Sequence, residues 1–122
     1  MIIAVALTNN NDIAYSFEDT DKFKMYDVLD KQIINTYTKE VSRQILSEKI
    51  SFLKSENTEI LFIKTLDDYE TDAFGPYSMQ AFINAGGDAN ELVKQYLHGA
   101  YIENLDVDYN EGKTKSTPPI NE

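Results

Sequence analysis

The chain opens on an unbroken apolar run, Ile2-Ile3-Ala4-Val5-Ala6-Leu7, that stops at Asn9-Asn10-Asn11. An apolar run this short, bounded by turn formers, is a strand covered on both faces. Such a strand sits inside a sheet, and with the order strand, strand, strand, helix, strand, helix, helix read along the chain it points to an α/β layer architecture. Looser alternation follows over Asp12 to Phe17 and Lys22 to Val28, with Phe23 and Met25 on one face and Lys24 and Tyr26 on the other. The stretch Ile2 to Val28 therefore reads as three strands in an antiparallel meander. Its second turn, Ser16-Phe17-Glu18-Asp19, is the first place to look for function. Lys31 to Val41 is β-rich but polar, anchored only by Ile33, Ile34, Tyr37 and Val41, and is expected to be an extended crossing segment.

From Ser42 the period changes. Ile45, Leu46, Lys49, Ile50 and Leu53 fall on one stripe at helical spacing, with Ser42 available as the cap of a helix running to about Ser55. Ile60-Leu61-Phe62-Ile63 is then a strand expected to pair in parallel beside the first, because a crossover helix precedes it. Thr65 to Asp72 reads as an acidic loop. Gly75-Pro76 is expected to open a helix with Met79, Phe82 and Ile83 facing the core, ended by Gly86-Gly87. Asp88, with Glu91 three residues on, caps the last helix, whose apolar stripe is Leu92, Val93, Tyr96 and Leu97 and whose stop is Gly99. This gives one α/β domain over residues 1–102 and an acidic, polar tail over 103–122 with few core anchors.

With 122 residues, one hydrophobic core suffices. The net charge of -10 repels a nucleic-acid backbone, so no nucleic-acid partner is expected. Cysteine is absent, which excludes disulfides, thiolate metal ligation and thiol nucleophiles. Met1 to Leu7 has no basic flank and is too short for the apolar region of a signal peptide, and no run approaches the roughly 20 residues that span a bilayer. The expectation is a cytoplasmic protein with no membrane partner.

The segments Ile2-Ile3-Ala4-Val5-Ala6, Ile13-Ala14-Tyr15-Ser16-Phe17 and Phe23-Lys24-Met25-Tyr26-Asp27-Val28, then Gly75-Pro76-Tyr77-Ser78-Met79-Gln80-Ala81-Phe82 and Leu92 to Tyr101, come in one order. In that order they resemble the dinitrogenase iron-molybdenum cofactor biosynthesis family, the NifX-like and NifB C-terminal-like domains. The resemblance spans residues 1 to about 101. It implies a three-layer ribonuclease-H-like fold, a mixed sheet with an N-terminal antiparallel meander and flanking helices. It also implies a small carrier domain, not an enzyme, that holds an iron-sulfur or iron-molybdenum cofactor precursor. The family's turn reads His-Phe-Gly, with the histidine a natural iron ligand. Here the matching residues are Ser16, Phe17 and Glu18, with Asp19 and Asp21 adding negative charge beside an already anionic cargo. The family's fifth strand is expected to be cut to about Gly86-Gly87.

Other candidate sites are weaker. His98, the only imidazole, stands near a helix C-terminus, where it interacts with the helix end. Asp67, Asp68, Glu70 and Asp72 are read as a solvated loop before a cation site. Asp106-Val107-Asp108-Tyr109-Asn110 has the opening spacing of a calcium loop, but Glu111 stands where the loop needs glycine. Nuclease chemistry needs carboxylates around metal ions, and Ile2 to Leu7 carries none. Gly75-Pro76 offers helix N-terminal amides to an anion, one fewer because of the proline. Tyr15, Tyr26, Tyr69, Tyr77 and Tyr101 could line a pocket or an interface. The sequence reading is a non-enzymatic binding domain with altered or lost cluster binding, its site residues Ser16, Phe17, Gly75 and Pro76. An iron-sulfur or iron-molybdenum cluster enters only through the resemblance. The alternative is a protein-interaction module acting through the sheet edge or the acidic tail, and the oligomeric state is left open.

Overall fold

The computed structural model describes residues 1–99. The tail at 103–122, its Asp106 to Asn110 stretch and Tyr101 lie outside the described residues. The opening run forms β1 (Ile2–Leu7), in which Ile3 to Leu7 are all buried. It is the middle strand of a five-stranded sheet completed by β2 (Lys22–Leu29), β3 (Gln32–Glu40), β4 (Thr58–Phe62) and β5 (Gln80–Phe82), in the order β3-β2-β1-β4-β5. β1 pairs antiparallel with β2 and parallel with β4, β2 antiparallel with β3, and β4 parallel with β5. Only β2 runs against the others.

Alternation along the strands divides the core in two. One face presents Ile3, Val5, Leu7, Tyr26, Val28, Ile60 and Phe62 to α3 (Ala89–Leu97), which answers with Ala89, Leu92, Val93 and Leu97. The other presents Ala4, Ala6, Phe23, Met25, Leu61 and Ile63 to Ile50 and Leu53 of α1 (Leu46–Ser55) and to Phe74 after α2 (Asp68–Ala73). Each large apolar side chain so buried stabilises the fold by about 1.5–3 kcal/mol. On the second face small residues register against large ones, Ala4 with Met25 and Ala6 with Phe23, and the same core cluster admits Phe17 from outside the strands. The expected mixed sheet with helices on both faces is the observed three-layer architecture. Asp88 caps α3 as expected, its carboxylate accepting the Glu91 N–H at 3.1 Å.

Several boundaries differ from expectation, each for a local reason. Asp12 to Phe17 is not a strand, since β2 takes the ladder beside β1 and leaves Ile13 a single bridge to Leu7. The meander's third strand is instead β3, the segment expected to be a crossing. Its hairpin turns through Asp30 and Lys31, both at positive φ (52° and 64°), without the glycine that normally marks such a turn. α1 begins at Leu46 and not at Ser42, because Val41 is buried and its carbonyl accepts the Gln44 N–H at 3.0 Å in a preceding turn. The expected acidic loop holds α2, started by a reciprocal cap: Asp67 accepts from the Glu70 N–H at 2.7 Å, and the Asp67 N–H donates to Glu70 Oε1 at 3.0 Å.

No helix opens at Gly75-Pro76. Gly75 has φ +67° and its N–H donates to Asp72 O at 3.0 Å, closing α2. The residues expected to make that helix form β5, and Phe82 stacks on Phe62 with ring centroids 5.2 Å apart. The fifth strand is therefore present, at Gln80–Phe82. Among the described residues, no helix is long and apolar enough to cross a membrane.

Candidate functional site

Because β1, β4 and β5 are parallel, their carboxyl ends share one edge of the sheet, and the loops at 8–21, 63–67 and 83–88 gather there. The chain leaves β1 toward β2 and β3 on one side and returns to β4 and β5 on the other. The gap between β1 and β4 is thus the place where an open α/β sheet usually receives a ligand. Here the chain fills it with its own backbone. The Ala14 N–H donates to Ala6 O at 2.8 Å, and Ala14 O accepts the Lys64 N–H at 3.0 Å. Tyr15 O accepts both the Thr65 N–H, at 2.8 Å, and the Thr65 hydroxyl, at 2.7 Å. Ile13 and Ala14 are buried in this wedge while the Tyr15 side chain is 63% exposed at its mouth. On the far side the Asn84 N–H donates to Lys64 O at 2.8 Å, tying the loop after β5 to the loop after β4.

The turn that follows is closed on itself. Ser16 Oγ donates to Asp19 Oδ2 at 3.2 Å and accepts the Asp19 N–H at 3.4 Å. Thr20, fully buried, donates its hydroxyl to Ser16 O at 2.8 Å, and its N–H donates to Phe17 O at 3.1 Å. The Phe17 side chain points into the core, with ring centroids 6.1 Å from Phe23 and 5.8 Å from Phe74. Beneath the turn lies a buried cation. Lys49, on the inner stripe of α1 and only 4% exposed, donates from Nζ to Phe17 O at 2.6 Å and to Thr20 O at 2.9 Å. Burial pulls its pKa below the usual lysine range, and the Asp21, Asp19 and Glu18 carboxylates oppose that shift. The acids of the turn therefore have a positive centre next to them.

The structure brings Ser16 and Phe17 together in this turn but gives them no common pocket with Gly75 and Pro76. Those two are exposed on the connection from α2 to β5, and the chain runs on to Tyr77, whose hydroxyl reaches Thr58 O at 2.8 Å at the start of β4. With no helix starting at Gly75-Pro76, the free amides expected there do not exist. His98 is the C-cap of α3, its N–H bonded to Lys94 O at 3.1 Å, at the opposite end of that helix from the carboxyl-edge loops. The acids at 67–72 serve α2, with Asp67 and Glu70 as its cap. The described tyrosines do not share a pocket. Tyr26 is buried and donates to Asn90 Oδ1 at 2.6 Å, Tyr77 bonds Thr58, and Tyr15 and Tyr69 are exposed. Among the described residues, no three His, Cys, Asp or Glu side chains are gathered so as to hold a metal ion. The feature that sequence reasoning passed over is Lys49. Its signal was a lysine in the middle of an apolar stripe, which is a place for a buried cation as much as for a snorkelling one.

An iron-sulfur or iron-molybdenum cargo, as the resemblance implies, does not fit this donor set. The chain has no cysteine. The Ser16 hydroxyl, at the position the resemblance gives to the ligand, is already bonded to Asp19 within its own turn.

No family model matches the chain, and no curated protein does. Solved structures do. The protein PH0822 superposes with a TM-score of 0.77 at 15% identity, over 87% of this chain and 96% of that one. A provisionally named dinitrogenase from Methanocaldococcus jannaschii gives a TM-score of 0.66 at 21% identity, over 82% of this chain and 90% of the other. A Thermotoga protein, provisionally named NifB and placed in the DUF35 family, gives 0.60 at 18% identity, over 91% and 98%. The chain has the fold of these dinitrogenase- and NifB-named proteins over nearly their whole length.

Proposed function

We propose that this chain is a non-enzymatic binding domain of the kind used in metallocofactor assembly, in which the cluster-ligating position has become part of the scaffold. The observation that carries this reading is the turn at 16–20. Its serine, threonine and main-chain carbonyls are bonded to one another and to Lys49, and the neighbouring crevice is filled by residues 13–15. The shared fold and the ordered sequence resemblance support the family; the closed, acidic turn supports altered cargo chemistry. Anionic clusters gain nothing from a turn lined by Glu18, Asp19 and Asp21.

The test is anaerobic reconstitution of the full chain with ferrous iron and sulfide, followed by desalting. The expected result is less than about one iron per ten chains, with no charge-transfer absorption in the visible range. Stoichiometric iron retained with an intense visible chromophore would overturn the proposal.

A further inference from the structure

Of the large apolar side chains exposed among the described residues, the two most exposed are Tyr69, at 75%, and Ile45, at 66%. Both line one open groove of about 370 Å³ between α1 and α2. No residue of the turn at 16–20 lines it, so the groove is separate from the site described above. Neither side chain belongs to a core cluster. Ile45 is the N-cap of α1, a position that favours serine, threonine, aspartate or asparagine, and its side chain gives the helix no hydrogen bond. Tyr69 stands on a helix of only six residues, and its hydroxyl has no partner among the described residues. Neither placement serves the fold.

The walls of the groove have the spacing that receives a helix. Leu46, Ile50 and Lys54 stand one turn apart on α1, and Tyr69 and Ala73 one turn apart on α2, so each wall is a ridge at helical period. Ser47 and Ser51, also one turn apart, are short enough to let another backbone come close. Neither wall is a strand, so an extended segment finds no ladder to join, whereas an amphipathic helix needs side-chain contacts alone. Charge then fixes the sign of the occupant. Asp68 and Asp72 repeat the spacing of Tyr69 and Ala73 one residue earlier, which sets two exposed carboxylates beside the α2 wall. Neither carboxylate has a hydrogen bond or an ion pair among the described residues, while Asp67 and Glu70 are taken up by the α2 cap. Among the described residues the one cation lining the groove, Lys54, has its Nζ 5.9 Å from the ring centroid of Tyr77 on its own chain. With a net charge of -10, a second copy is repelled here and a cationic partner is attracted.

We propose that the groove between α1 and α2 is a docking site for a basic amphipathic helix of a partner protein, its apolar face on Ile45, Ile50 and Tyr69 and its cations on Asp68 and Asp72. The probe is a synthetic peptide of about 14 residues with leucine at i, i+3, i+4 and i+7 and lysine elsewhere, beside a counterpart in which glutamate replaces lysine. Each is titrated into the full, isotope-labelled chain, and amide shifts are followed by nuclear magnetic resonance. The lysine peptide is expected to shift amides at 45–54 and 68–73, and to bind at least about tenfold more tightly than the glutamate peptide. Tyr69→Ser should weaken its binding about tenfold and Ile45→Ser about fivefold. Both changes are at exposed positions and should leave the circular dichroism spectrum unchanged. Asp68→Asn with Asp72→Asn should weaken it about threefold at low salt. No shifts at about 1 mM peptide, equal binding of the two peptides, or shifts confined to the turn at 16–21 or to residues 103–122 would each overturn the proposal. So would Tyr69→Ser and Ile45→Ser variants that bind as the wild type does. Light scattering that finds a wild-type dimer broken by Tyr69→Ser would give the groove to a second copy and overturn it as well.

Discussion

The turn at 16–20 and the strand at 32–40 are opposite solutions to the same problem of main-chain polarity. In the turn, a buried threonine, a buried ammonium and three main-chain carbonyls satisfy one another behind a phenylalanine anchored in the core. In β3, the outer row of main-chain groups has no strand partner among the described residues, on a strand whose side chains are nearly all exposed. The region where the family resemblance places chemistry is closed, and the region with no assigned chemistry is open. What the contrast teaches is that binding capacity follows unsatisfied polar groups. A loop at the carboxyl edge of a parallel sheet is a site only while its donors and acceptors are free.

The contrast can be broken first at Phe17. Phe17→Ala removes a ring packed on Phe23 and Phe74 and should cost about 3–5 kcal/mol in urea unfolding. Ile34→Ala in β3 should cost under about 0.5 kcal/mol. Comparable losses would mean that the turn is not anchored as described. Next comes Lys49→Met, which keeps the length of the side chain and removes the ammonium. Thr20 O loses its donor, so stability should fall by about 1–3 kcal/mol, and the Thr20 amide should exchange faster with solvent. A stabilised variant with an unchanged Thr20 amide would make Lys49 incidental to the turn.

Ser16→Ala is expected to cost about 0.5–1 kcal/mol, through the bonds with Asp19, and no more than that. A neutral result would mean that the hydroxyl is available to a ligand after all.

The smallest effect is in β3 and shows only in alkali. Burial, the hydrogen bond to Glu56 and the charges of Glu56 and Asp27 push the Tyr37 pKa up to about 12. A folded pKa raised above the unfolded value of 10.0 contributes stability that is complete below pH 10 and is lost as pH rises toward 12. Tyr37→Phe should leave stability at pH 7 within about 0.5 kcal/mol of wild type and make the decline between pH 10 and 12 shallower. An unchanged alkaline profile would remove Tyr37 from the account.

The central strand and the last helix were legible because their patterns are redundant. β1 is apolar throughout, and α3 carries a cap, a stripe and a stop in Asp88, Leu92 to Leu97 and Gly99. β3 was not, because a strand exposed on both faces has no alternation to read, and because Asp30-Lys31 makes its hairpin without glycine. α2 reads as a loop although Asp67 and Glu70 stand at capping-box spacing, since its acidity outweighs the pattern of a helix of six residues. β5 reads as a helix because proline after glycine suits a helix start, whereas pairing with β4 makes it a strand. At the candidate site, Ser16 and Phe17 were identified from the resemblance. The wedge at 13–15 and the partners of Lys49 depend on which carbonyls face inward, of which the residue pattern shows only the lysine on an apolar stripe.

Native-state hydrogen exchange of the Ala14, Thr20, Lys64 and Thr65 amides tests the closed crevice most directly. All four are expected to exchange slowly and together, since their acceptors Ala6, Phe17, Ala14 and Tyr15 belong to one bonded wedge and turn. Rapid exchange at Ala14 and Lys64, with the β1 amides still protected, would show the crevice open and contradict it.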